Sequence, residues 1–63
     1  MTRQAIDDIS TRRQIASLLR CIREAAGLSL TRWSALSGVE EAIINAYERA
    51  EQAVYVDEME ALL

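Results

Sequence analysis

Histidine, proline, lysine and phenylalanine are all absent from this 63-residue sequence, which holds one cysteine and two glycines. Without histidine the commonest general acid or base is missing, and no hydroxyl has a recognisable activating partner, so catalysis is not expected. A single cysteine cannot close an internal disulfide. With no histidine beside it, a four-ligand structural zinc site cannot be assembled either, so neither metal nor cofactor is expected. Cys21 reads as an inert small side chain in a reducing, cytoplasmic setting. No apolar run is long enough to span a bilayer, and the first eight residues lack the apolar core of a secretory signal, so no membrane partner is expected.

The residues present describe one small soluble domain. Half of them are apolar (51%) and 27% are charged, too hydrophobic a balance for a disordered chain. A chain of this size buries only ~60% of the surface that its unfolded form exposes, so its stability is marginal. Seven arginines against ten carboxylates leave a formal charge of −3. That total disfavours non-specific attraction to phosphate and leaves local patches open.

Gly27 and Gly38 punctuate an otherwise helical pattern. From Thr11 to Ala26 the apolar positions Ile15, Leu18, Leu19, Ile22 and Ala26 recur at helical spacing, with Arg12, Arg20 and Glu24 away from that face. Thr11 and Gln14 have the spacing of a capping box, and Gly27 suits the left-handed residue past the helix end. Ser29 is placed to cap a second, short helix, with Leu28 and Trp33 as its hydrophobic staple, ending near Ser37 and Gly38. Val39 and Ile44 repeat the staple around Glu40, a poor cap, for a third helix to about Ala50. Residues 53–56 are β-prone. Asp57 and Glu60 are then spaced to cap a last helix from Glu58 to Leu63. Residues 1–10 read as an arm or short helix before a domain at 11–63, with Ile6 and Ile9 at helical spacing.

Two short helices joined by a glycine turn describe a helix-turn-helix. Gly38 permits the positive φ of the turn, and the small Ser34 lets the two backbones approach. The string from Ile22 to Ser29, then Leu36-Ser37-Gly38-Val39, Ile44 and Tyr47-Glu48-Arg49, resembles the phage Cro and repressor family of DNA-binding domains, also called the xenobiotic-response-element family. The resemblance covers about residues 15–63. It implies an all-α fold, a compact lambda-repressor-like domain of four to five helices, and a salt bridge from Arg23 to Glu48. It also implies apolar framework positions at Trp33, Leu36, Val39, Ile44, Tyr47, Val56, Met59 and Leu62.

Departures from that family gather on the face that would meet DNA. Leu30 stands where the family often has a phosphate-holding glutamine. The start of the third helix offers Glu40, Glu41, Ala42, Ile43, Asn45 and Ala46, of which Asn45 alone matches a common base-reading chemistry. Arg32 and Arg49, and nearer the N-terminus Arg12 and Arg13, are candidate phosphate clamps or simply solvated helix surface. Ala50 replaces a usual glycine, Val54 lies near a usual proline, and a further helix is missing. Val54, Tyr55, Val56, Met59, Leu62 and Leu63 would then form an apolar patch that the N-terminal segment, a second subunit or a partner protein covers, or the chain is a fragment.

Two functions follow from these residues. One is a small transcriptional regulator or repressor that binds double-stranded operator DNA as a homodimer. Its bases would be read by Glu41, Ala42 and Asn45, with Arg32 and Arg49 on phosphates. The other is the same fold used as a protein-binding module, an anti-repressor or antiactivator that does not bind DNA. There Glu40, Glu41, Ile43 and Ala46 form the contact face, with an exposed Ile43 as the anchor.

Overall fold

Asp8, rather than Thr11, caps the first helix. In the computed structural model, which describes residues 3–63, the Asp8 carboxylate accepts from both the backbone N–H (3.0 Å) and the hydroxyl (3.0 Å) of Thr11. These bonds hold its pKa below the ordinary carboxylate range. Thr11 thus serves as a donor inside the first turn, and helix α1 runs Ile9–Ala25. Before it, β1 (Ala5–Ile6) is a strand, so Ile6 is not helical. Residues 1 and 2 of the expected arm or short helix lie outside the described residues.

After α1 come α2 (Leu30–Ser37), α3 (Glu41–Glu48), β2 (Val54–Tyr55) and α4 (Val56–Leu62). The molecule is mostly helical, as an all-α reading expects, with one addition. β1 and β2 pair antiparallel, Ala5 opposite Tyr55 and Ile6 opposite Val54.

Two helices end in the same way. Past α1, the N–H groups of Gly27 and Leu28 bond the carbonyls of Glu24 (3.1 Å) and Arg23 (3.0 Å). Past α3, those of Ala50 and Glu51 bond Tyr47 (3.1 Å) and Ala46 (2.9 Å). Both are the paired closure that needs a left-handed residue. Gly27 adopts it freely at φ 68°, whereas Ala50 is forced to φ 56°. A side chain in that region is strained by about 1 kcal/mol or more. Ala50→Gly is therefore expected to stabilise the domain by about 0.5–1 kcal/mol, after allowing for the greater freedom of glycine in the unfolded chain. A thermal melt raised by a few degrees would register it.

α2 starts as expected, with the Ser29 hydroxyl accepting from the N–H of Arg32 at 3.1 Å, and stops at left-handed Gly38. The α4 boundary is a correction. The helix opens at Val56 without a side-chain cap, and Asp57 turns outward to Arg3 at 3.1 Å.

Ile15, Leu19, Trp33, Val39, Ile44, Tyr47, Val54 and Leu62 form the core, with Ile6, Ile22, Leu28, Leu30, Ile43 and Met59 packed against it. Trp33 donates its indole N–H to the Leu62 carbonyl at 3.3 Å, pinning α4 to α2. Three positions expected inside are outside: Leu18 is 54% and Leu36 61% exposed, and Ala26, past the end of α1, is exposed as well. At about 100° per residue, Arg12, Ile15, Ala16, Leu19 and Arg23 share one sector of α1 and Leu18 faces away. That geometry also brings Arg12 toward the end of α3, against the expectation that it points away, whereas Arg20 is exposed and only its tip reaches α3.

Candidate functional site

The elements that could present a recognition surface are α2, the Gly38 turn and α3. Two serines organise the turn. Ser34 donates its hydroxyl to the Val39 carbonyl at 2.7 Å, and Ser37 accepts from the Val39 N–H at 3.1 Å. Ser34 is therefore more than a small residue allowing close approach; it bonds the strand of chain leading into α3. Glu40 makes no side-chain capping bond, in keeping with its poor rank as a cap.

α3 divides cleanly along its length. Ile44, Tyr47 and Glu48 are buried, while Glu41, Ala42, Asn45 and, just past the helix, Arg49 are exposed. Ile43 and Ala46 lie at the flanks, half-buried, with Ile43 packed against the core. The expectation of a freely exposed Ile43 is corrected: its side chain is largely occupied in holding α3 down.

Around the outward row the charges balance. Glu40 and Glu41 are opposed by Arg32 and Arg49, all exposed. Glu41 is drawn toward α2, accepting from the Thr31 hydroxyl at 3.0 Å. Arg49 faces Glu51 at 3.7 Å, with both side chains more than half exposed. Such a pair is worth little and releases easily. No ion pair of Arg32 or Arg13 is found among the described residues.

Behind α3 its C-terminal end is held by α1. Arg23 grips Glu48 with two bonds, Nε to Oε2 at 2.7 Å and Nη2 to Oε1 at 3.1 Å. This contact raises the Arg23 pKa, and Glu48 is only 5% exposed. Arg20 donates to the Glu48 carbonyl at 2.8 Å and Arg12 to the Ala50 carbonyl at 2.6 Å. Cations at a helix C-terminus meet the negative end of its dipole. Neither role follows from local pattern, but that of Arg12 is legible once Arg12 and Arg23 are placed in the apolar sector of α1.

Tyr47, fully buried, donates its hydroxyl to Glu58 and accepts from the Tyr55 N–H at 3.3 Å. Burial, then the bond to Glu58, pushes its pKa up to about 12. The folded state thus holds the phenolic proton more tightly than the unfolded chain. Its stabilisation is complete below the ordinary value of 10.0 and lost as pH rises toward 12. Melting temperature should fall over that window, and fall less in Tyr47→Phe, as followed by circular dichroism.

The expected apolar patch is largely taken up within the chain. Val54 and Leu62 are buried, Tyr55, Val56 and Met59 half-buried, and only Leu63 stands well out, at 70% exposed. The edge of Val54 is paired with Ile6 of the same chain. β1 of the same chain therefore occupies one edge of β2.

Comparison with protein-family models, with curated proteins and with solved structures finds no match to the chain.

Proposed function

We propose that this chain is a helix-turn-helix domain of lambda-repressor-like fold that reads operator DNA through α3 as a small cytoplasmic regulator. The observation that carries this reading is the division of α3. Its inner row is committed to the core and to Arg23, while the outer row of Glu41, Ala42, Asn45 and Arg49 does little for the fold. A short helix held rigidly from behind and free in front is what entry into a major groove requires.

Roles follow from chemistry. The Asn45 amide matches the paired donor and acceptor of adenine, Ala42 suits a thymine methyl, and Glu41 can accept from a cytosine amino group. Arg32 and Arg49 serve as phosphate contacts, Arg49 after releasing Glu51. With so few cations the affinity for random DNA is weak, and specificity depends on pairing two half-sites about one helical turn apart. The full chain should enrich such sites from a randomised duplex library at low salt. Asn45→Ala should lose the preference at one adenine per half-site, a cost of about 1–3 kcal/mol. Enrichment no greater than the starting library would remove this reading.

A second reading, a protein-binding module, is favoured by Leu36, an apolar side chain 61% exposed on α2 four residues before the acidic pair Glu40 and Glu41. Ile43 no longer serves as its anchor. Leu36→Asp separates the two: partner capture is lost under this reading, and site enrichment is retained under the first.

A further inference from the structure

The N-terminal segment reaches α3 by two separate routes. On the first, the Arg3 guanidinium lies 3.8 Å over the Tyr55 ring and donates to Asp57 at 3.1 and 3.2 Å, with Glu58 Oε2 at 3.4 Å. The other carboxylate oxygen of Glu58 accepts the Tyr47 hydroxyl, in the last turn of α3. On the second, Asp7 meets Arg12 Nη1 at 3.4 Å, and Arg12 Nη2 binds the Ala50 carbonyl just past the end of α3. Between the two arms, β1 pairs with β2 and the Val56 N–H donates to the Gln4 carbonyl at 3.0 Å.

We propose that residues 3–7 act as a two-armed clasp that fixes the C-terminal half of α3, so that releasing this strap loosens residues 46–50 while the rest of the domain stays folded. The near ends of both arms are exposed: Arg3, Asp57 and Asp7 all face water. Exposed ion pairs are individually weak, so the clasp can be opened without unfolding the core. The far ends are not exposed. Tyr47 is buried, and Arg12 is drawn in so far that its Nε has no partner among the described residues. Asp7 is the one carboxylate found on Arg12 among the described residues, so it is the group that ties the strap to that guanidinium. α3 has only eight residues, and its last turn depends on contacts from outside it, those of the clasp beside those of Arg23 and Arg20, which makes it the element that responds.

This device does not depend on the DNA reading, and its test uses no nucleic acid. Hydrogen exchange is followed by NMR on the full chain. Arg3→Glu should speed exchange of the amides of residues 46–50 roughly ten-fold or more, with those of Leu19 and Trp33 nearly unchanged. Arg3→Lys, which keeps a cation beside Asp57 and Glu58, should retain most of the protection. Asp7→Asn, acting through the second arm, should speed Ala50 and Glu51 and spare Tyr47. If Arg3→Glu fails to fold, Arg3→Gln gives the same reading in milder form. Unchanged exchange at residues 46–50 overturns the clasp, and so does an equal acceleration of every amide.

Discussion

Replacing Ile44 with alanine should destabilise the domain by about 3–4 kcal/mol, within the range for truncating a fully buried branched side chain. Ile44 has no exposed surface and belongs to the core cluster with Ile15, Leu19, Trp33 and Val54. A domain of this size has a total stability of roughly 3–9 kcal/mol, so the loss is about a third or more of the total. Ile43→Ala, one residue earlier on the half-buried flank, should cost about 1 kcal/mol, and Leu36→Ala less than about 0.5 kcal/mol. Urea unfolding of the three variants measures this gradient directly. Equal losses at Ile43 and Ile44 would mean that α3 is rotated from the orientation described.

The second large effect is expected at the α1–α3 ion pair. Arg23→Ala leaves the buried Glu48 carboxylate without its two-bonded partner, at a cost of about 3 kcal/mol. Arg20 cannot replace it fully, because its Nη2 is committed to the Glu48 carbonyl and its Nε is 4.0 Å from the carboxylate. Arg23 also donates to the Leu28 carbonyl at 3.1 Å, so the entry to α2 loosens too. The cost comes from stranding a charge, so removing both members should recover most of it. The double variant Arg23→Met, Glu48→Met is expected to melt close to the parent, since a well-packed apolar pair often matches a buried ion pair in stability. A double variant as unstable as Arg23→Ala would show that the pair contributes attraction beyond avoiding the stranded charge.

The clearest features in the sequence were those set by local chemistry. Ser29 as a cap, Gly27 and Gly38 as left-handed residues and the ends of α2 depend on hydrogen bonds within a few residues, and each is found in the structure. The Arg23–Glu48 pair came from the family resemblance, and its geometry is present. What was not legible needed a partner distant in sequence. Asp57 looked like a cap because nothing local says that Arg3, 54 residues away, will claim it. β1 is only two residues long, too short to leave a pattern, and it takes one edge of the β-prone stretch at 53–56. Leu18 was misplaced because an apolar residue at helical spacing was preferred to Arg12, whose long side chain packs inward and delivers its charge to a carbonyl.

On the site itself, Glu41, Ala42, Asn45 and Arg49 of the expected face are exposed, while Ile43 and Ala46 are half-buried and the core claims Ile43. The balance of Glu40 and Glu41 against Arg32 and Arg49 was readable as composition. That Arg49 is held by only a weak, exposed pair with Glu51 was not.

The most direct test of the DNA reading is a fluorescence-anisotropy titration of the full chain against mixed-sequence and selected duplexes over a range of salt. The proposed arrangement predicts binding at micromolar protein or tighter to the selected duplex, weakening with salt by the slope of a few phosphate contacts. Arg49→Ala should flatten that slope by about one contact and Asn45→Ala should leave it unchanged. Absence of salt-dependent binding to any duplex at micromolar protein would contradict it.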